Sequence, residues 1–187
     1  IKVPTGSTLT PALSHKERKQ SASTLPMRER FRDGLQKEDL MSEQLSITIS
    51  QTTDYKFEVD FGALFTPIIA DLPPPLGESA GPSPEHLLLA AVANCLSASL
   101  LFSLRKFKQN AEAIKTIVSG VVERNENRQL RVTHINACIN LGKEAHQFEN
   151  LEHILAQFEN FCTVSQSVQA GIPLTIHVED STGTLLK

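Results

Sequence analysis

The 187-residue sequence has little of what several classes of protein require. It holds three cysteines with no close pair, which argues against a disulfide framework or a zinc ribbon and fits a reducing, cytoplasmic setting. Its formal net charge of −3 provides no basic footprint for nucleic acid. The N-terminal part has no apolar segment of the signal-peptide kind, and no sequence repeat is visible. We therefore expect one cytoplasmic domain without a nucleic-acid partner.

Regular patterning is also missing from the first 40 residues. They contain eight Lys/Arg and five Asp/Glu, whereas the rest of the chain contains ten and sixteen. With few large apolar residues, this composition is typical of an extended or poorly ordered tail. We assign residues 1–43 to that tail and residues 44–187 to the folded domain. The basic cluster around Arg30 fits a solvated charged segment better than an arm for an anionic partner.

A run without charge, from Leu87 to Leu104, predicts a long central helix. Ser83 is a good N-cap, Pro84 suits the first helical position, and Glu85 places a negative charge at the positive end of the helix dipole. Apolar residues occupy almost every angle around the axis, which is typical of a helix buried on all sides. Such a run is about 27 Å long and marginally enough for a membrane span. Its internal Asn and Ser residues and the lack of a second apolar segment favour a helix inside a protein core, so no membrane partner is expected.

Alternating apolar residues predict strands on both sides of this helix. The first two strands form a hairpin that can place one face on the helix, and the proline-rich segment 71–82 is a loop leading into it. A second helix spans about 151–170, with apolar residues at helical spacing. The order predicts an α+β fold with antiparallel sheets wrapped around two buried helices, rather than a parallel βαβ fold. The predicted strands are 45–50, 55–61, 65–70, 114–123, 130–141 and 174–179.

Three cysteines and several histidines are the candidates for chemistry. Cys95 and Cys162 lie on different apolar helices, where a buried structural cysteine is the more common case and a functional pair is the alternative. Cys138 points away from the apolar face of its strand and is expected to be structural. The histidines show no paired metal-ligand spacing, so no metal site is expected.

Two motifs resemble a known family. The first is Gly-Pro-Ser-Pro-Glu-His-Leu-Leu-Leu-Ala-Ala from Gly81, with Cys95 ten residues after Glu85, and the second is Phe-Cys-Thr-Val-Ser-Gln-Ser from Phe161, before Gly171. Together they resemble the OsmC/Ohr family of thiol peroxidases over roughly residues 45–179. The proline-rich loop is more similar to that of general OsmC-like members than to that of the organic hydroperoxide resistance branch.

The resemblance implies an intertwined homodimer with active sites at the subunit interface. It makes Cys95 the peroxidatic residue, whose thiolate attacks a small organic hydroperoxide, and Cys162 the residue that resolves the resulting sulfenic acid to a disulfide. An external thiol, by family analogy a lipoyl group, would reset the enzyme. No metal, haem or flavin cofactor is implied.

Glu85 matches the family's glutamate at the start of this helix. Ten residues of straight helix separate it from Cys95 by about 15 Å, so the two side chains cannot touch within one chain. We therefore expect Glu85 to serve the Cys95 of the partner subunit. The alternative is a residue that only compensates the helix dipole.

The sequence departs from the family pattern in its cations. Peroxidases of this family use an arginine from the N-terminal strands, whereas no arginine occurs between Met41 and Leu104. Lys56 is the only lysine in that interval and is therefore the candidate replacement, although an outward strand residue is the common role for such a lysine. Two functions follow: a thiol-dependent peroxidase for organic hydroperoxides, and a non-catalytic or redox-sensing homodimer that binds an apolar small molecule.

Overall fold

Two three-stranded sheets, one long helix and a broken second helix make up the part of the chain that the structure describes. This computed structural model describes residues 44–187, so the predicted tail lies outside the described residues. Six strands and three α-helices alternate as follows: β1 Thr48–Thr53, β2 Lys56–Asp60, β3 Ile68–Ala70, α1 Pro84–Lys106, β4 Lys115–Arg124, β5 Leu130–Asn140, α2 Leu151–Gln157, α3 Thr163–Gln169 and β6 Leu174–Glu179. Short 3-10 turns at Ala145–Gln147 and Phe158–Phe161 complete the order.

The first sheet confirms the predicted hairpin and third strand. β1, β2 and β3 pair antiparallel in chain order. Every residue of β1 is exposed, however, and Ile49 keeps 56% of its surface accessible. The expectation that β1 lays its apolar face on the helix is therefore wrong for a single chain. Alternation shows that a strand has an apolar face, but it does not show what covers that face.

Helix α1 begins where the sequence places it, with Ser83 as N-cap and Pro84 in the first helical position. One face is buried along its length, at Val92, Leu96, Ser99, Leu100, Ser103 and Leu104. The opposite face is open, and Phe102 is 56% exposed. Burial on all sides is therefore not found in one chain. By length and composition α1 could also cross a membrane, a test that core helices of soluble proteins pass too.

The second sheet is mixed. β4 and β5 pair antiparallel as predicted, but β6 lies parallel to β5, because the chain crosses over through α2 and α3 between them. The prediction of purely antiparallel sheets therefore fails for this pair, within a fold that is α+β as predicted. The inward residues of β5 are buried as expected, and they are Ile135, Ala137 and Ile139, continued by Leu141.

The predicted second helix is interrupted. α2 ends at Gln157, a 3-10 turn follows, and Cys162 adopts an extended conformation with φ −90° and ψ 95° before α3 starts. Ile154, Phe158 and Cys162 are fully buried, so the apolar spacing that predicted one helix is real. The same spacing is satisfied by three short helical pieces packed on one core.

Candidate active site

The fold brings Cys95 and Cys162 together from distant parts of the chain. α1 carries Cys95, which is half-buried, and the break before α3 carries Cys162, which is fully buried. α1 packs on the 3-10 turn and on α3, which flank Cys162, and Cys162 lies near enough to Cys95 to influence the pKa of its thiol. Neither cysteine is in a disulfide. Because Cys162 is fully buried, a molecule from the solvent can reach this pair only at Cys95.

Cys162 owes its position to a helix cap. Its Sγ accepts a hydrogen bond from the backbone N–H of Ser165 at 3.4 Å, and the Ser165 hydroxyl donates to the Cys162 carbonyl at 3.4 Å. Cysteine is not among the preferred N-cap residues, so a helix start at this position could not be predicted from local residue preferences. The cap turns the first backbone N–H groups of α3 toward the sulfur atoms.

Opposing influences act on the Cys95 thiol. Burial raises its pKa, and the neighbouring Cys162 thiol raises it further. The backbone N–H groups of Val164 and Ser165 lower it, because they donate hydrogen bonds to the thiolate. The net result is a pKa above the ordinary value. Within the described residues, no cation is among the principal groups that shift it.

A cavity of about 390 Å³ opens at Cys95. Its other lining residues are Ala98, Ser99, Phe102 and Phe161. The two phenylalanine rings meet edge to face, with centroids 5.5 Å apart and planes at 62°. Neither ring was predicted to line a cavity, although Phe102 is two helical turns after Cys95 and Phe161 begins the motif that contains Cys162.

Glu85 lies in the first turn of α1, far along the helix from Cys95. Its carboxylate accepts a hydrogen bond from the Ser83 hydroxyl at 2.7 Å, and this bond lowers its pKa, so the group is ionised at neutral pH. α1 is continuous from Pro84 to Lys106, so the separation of about 15 Å from Cys95 persists. The expected contact of Glu85 with the Cys95 of the partner subunit stays a prediction.

Lys56 lies on β2 and faces the proline-rich loop. Its Nζ is 2.5 Å from the Glu78 carboxylate, and this hydrogen bond raises the pKa of Lys56. The cavity that Lys56 lines, beside Tyr55 and Glu78, does not include Cys95. In one chain the structure thus unites the two cysteines and leaves Lys56 and Glu85 apart from them.

The proline-rich loop is fixed by one buried carboxylate. Asp71 accepts backbone hydrogen bonds from Leu72, Glu78 and Ala80, which lower its pKa. Gly81 allows the loop to pass the first sheet, because a Cβ there would collide with the carbonyl of Ile69.

This loop, the start of α1 and the β4–β5 hairpin enclose a second cavity of about 650 Å³. Most of its lining is apolar, and Glu85 is one of its few charged groups. Its lining includes Pro74, Leu89, Val122 and Leu130.

The remaining candidates form no further centre. Cys138 lies half-buried on the outer face of β5, where burial and the neighbouring Glu179 raise its pKa. Across residues 44–187, no group of three or more His, Cys, Asp and Glu side chains is arranged to hold a metal ion.

Comparison with known proteins agrees with this architecture. The family model described as OsmC-like protein matches residues 77–177. An OsmC-like protein from Mycoplasma pneumoniae superposes with a TM-score of 0.64 at 15% identity, covering 75% of this chain and 99% of that one. An OsmC-like protein of unknown function from Vibrio cholerae gives 0.62 at 17% identity, covering 73% and 99%. The organic hydroperoxide resistance protein OhrB of Bacillus subtilis gives 0.54 at 16% identity, covering 73% and 98%. No curated protein matches the sequence.

Proposed function

The chain belongs to the OsmC-like protein family, and from this premise we propose that it is a thiol-dependent peroxidase for organic hydroperoxides. The observation that supports this proposal most is that the fold packs the helix carrying Cys95 against the segment carrying Cys162, so that one thiol influences the pKa of the other. A solved relative named for organic hydroperoxide resistance has the same fold.

Bonds are made and broken only among these two side chains, the peroxide and an external thiol. The Cys95 thiolate attacks one peroxide oxygen, the O–O bond breaks, and the alcohol leaves with a proton while Cys95 becomes a sulfenic acid. Cys162 then attacks the Cys95 sulfur, water leaves, and a disulfide forms. An external dithiol, of which a lipoyl group is the family example, reduces this disulfide by thiol–disulfide exchange.

In this proposal, backbone N–H groups partly replace the arginine that peroxidases of this family use and that this chain lacks. Those of Val164 and Ser165 favour the Cys95 thiolate, and they are held in place by the Cys162 cap. Because these N–H groups carry no full positive charge, we propose that Lys56 supplies the cation that stabilises the Cys95 thiolate.

We further propose a cytoplasmic homodimer in which Glu85 and Lys56 reach the Cys95 of the partner subunit. The exposed apolar side chains of the first sheet and the open face of α1 support this assembly, since a single chain leaves both uncovered.

Thiol titration after one equivalent of cumene hydroperoxide, with peptide mapping, tests the peroxidase. We expect rapid loss of two thiols per chain, mapped to a Cys95–Cys162 disulfide, and faster loss than with hydrogen peroxide. C138S is the matched control and should behave as the wild type. Survival of both thiols for many minutes would contradict the peroxidase.

A second function is favoured by the 650 Å³ cavity, which is apolar and holds no cysteine. In this alternative the chain is a non-catalytic or redox-sensing homodimer that binds an apolar small molecule there. The raised pKa of Cys95 also fits this alternative, because a protonated thiol reacts slowly. Inert thiols together with saturable binding of an apolar dye that V122D abolishes would establish this function instead.

A further inference from the structure

We propose that Lys187 is a positioning residue for Cys162, because it braces the break between α2 and α3 from which Cys162 must meet the oxidised Cys95. The inference rests on the proposed peroxidase function, since it concerns the second step of the same reaction. In that step the Cys162 sulfur attacks the sulfenic acid of Cys95, the S–O bond breaks, and the hydroxyl group leaves as water with the proton of the Cys162 thiol. Lys187 acts on this step through the backbone that carries Cys162.

The Lys187 ammonium group joins the end of α2 to the 3-10 turn that follows it. Its Nζ donates a hydrogen bond to the Leu155 carbonyl at 2.8 Å and lies 2.6 Å from the Glu159 carboxylate. Leu155 is in the last turn of α2, where carbonyl groups have no partner within the helix. The ammonium also lies 5.1 Å from the ring centroid of Phe158, which is fully buried. One side chain therefore holds the segment in which α2 changes into the 3-10 turn.

Glu159 connects Lys187 to Cys162. The backbone carbonyl of Glu159 accepts a hydrogen bond from the Cys162 N–H at 3.0 Å and another from the side-chain amide of Gln166 at 3.3 Å. Gln166 lies on α3, so one carbonyl holds both the cysteine and the helix that this cysteine caps. Displacement of Glu159 would therefore move the Cys162 sulfur.

The backbone of Lys187 is anchored on β6. The Lys187 carbonyl accepts a hydrogen bond from the Val178 N–H at 3.2 Å, and the Lys187 N–H donates one to the Val178 carbonyl at 3.3 Å. Val178 is fully buried in the core that also contains the buried face of α1. The Lys187 side chain therefore spans from the second sheet to the helix break and fixes the break relative to the core.

This brace lies at the edge of the core. The Lys187 side chain is 33% exposed and the Glu159 side chain 23% exposed. Ion pairs that remain partly exposed contribute little to global stability, so loss of the brace should act mainly on the position of the break. Cys95 lies on the continuous helix α1. We therefore expect removal of the Lys187 ammonium to slow attack by Cys162 more than oxidation of Cys95.

Trapping of the sulfenic acid with dimedone tests the brace. The full chain reacts with one equivalent of cumene hydroperoxide in the presence of dimedone, and mass spectrometry gives the ratio of the Cys95–dimedone adduct to the Cys95–Cys162 disulfide. K187M and E159Q should each raise this ratio about two- to tenfold, the effect of one lost hydrogen bond. K187R keeps the charge and the N–H donors, so its ratio should stay near that of the wild type.

K143M is the matched control. Lys143 also pairs with a carboxylate, that of Glu112, and its side chain is 26% exposed. K143M should leave the ratio unchanged, and the melting temperature of K187M should stay within about 4 °C of the wild type. An unchanged ratio in K187M, or a ratio in K187R as high as in K187M, would overturn the proposal. Equal slowing of both steps or a larger loss of melting temperature would assign Lys187 a structural role and overturn it as well.

A measurement without peroxide separates failure of the brace from failure of the peroxidase. C138S and C138S/K187M equilibrate with reduced and oxidised dithiothreitol, and the disulfide fraction gives the equilibrium constant for forming the Cys95–Cys162 bond. K187M should lower this constant by about two- to tenfold. If no hydroperoxide consumes thiols and K187M still lowers the constant, the peroxidase fails and the brace stands. If K187M leaves the constant unchanged, the brace fails, and if no Cys95–Cys162 disulfide forms with either oxidant, both proposals fail.

Discussion

The start and the middle of α1 hold different parts of the chemistry that a peroxide-reducing site needs. The half around Cys95 has both sulfurs, helix N–H groups and an aromatic cavity, but no cation among the principal groups acting on the thiol. The half around Glu85 has an ionised carboxylate and a larger apolar cavity, and it holds no cysteine. Since one rigid helix keeps the two halves about 15 Å apart, a single chain cannot combine them. A second copy packed on the open face of α1 could.

The largest effect that we predict comes from changes in the half of α1 around Cys95. C95S should reduce peroxide consumption to the rate of buffer alone, because no other described thiol lies in this cavity. C162S should keep one turnover and then stop, since the sulfenic acid has no resolving thiol. A peroxide assay with and without dithiol checks both, and equal steady-state activity of C162S and wild type would contradict the assigned roles.

The next prediction is that Glu85 of one chain acts on Cys95 of the partner chain. E85A should lower the rate by about tenfold or more, as expected for loss of a charge that organises a reacting site. Mixing E85A with C95S in equal amounts and refolding them together should restore about a quarter of wild-type activity, because each mixed dimer holds one complete site. Activity of the mixture no higher than the average of the two parents would place Glu85 in its own chain's site or outside the mechanism.

The pH dependence of Cys95 reactivity tests whether the thiol lacks a neighbouring cation. Because its pKa is raised, the thiolate is a small fraction at pH 7, and the fraction grows as pH approaches that pKa. Alkylation of the C138S/C162S variant by iodoacetamide should therefore rise about tenfold per pH unit between pH 7 and 8.

If the alkylation rate of Cys95 has already reached its plateau at pH 7, a cation from another chain lowers the pKa of Cys95. K56M should then move the plateau of the alkylation rate to higher pH. If K56M leaves the profile unchanged, Lys56 is not that cation.

The smallest effect concerns the proline-rich loop at the Glu85 end. The pKa of Asp71 is lowered in the folded protein, so its stabilising contribution is present above the unfolded carboxyl pKa of about 4 and is lost as pH falls below it. D71N should lower the melting temperature at pH 7, and the difference from wild type should shrink toward pH 3. D60N is the control, since Asp60 accepts one exposed hydrogen bond from Gly62. A difference that stays constant with pH would show that Asp71 acts through packing alone.

Much of the fold could be predicted from local patterns. The helix start at Ser83, the two hairpins and the buried face of β5 each depend on residues close in sequence, and each is confirmed. The break at Cys162 could not be predicted, because helical spacing of apolar residues is the same in one helix and in three short pieces on a common core. The parallel pairing of β6 with β5 was also missed, because alternation predicts a strand but shows neither its partner nor its direction.

The site divides in the same way. The sequence by itself determined which thiols and which carboxylate are available, and helix geometry alone separated Glu85 from Cys95. Only the tertiary structure decided that Cys162 caps α3 beside Cys95, that Lys56 pairs with Glu78, and that Phe102 meets Phe161. The physical reason is the distance along the chain over which each interaction acts. Caps, dipoles and periodicity act within a few residues along the chain, whereas these contacts join segments that approach only when the core is packed.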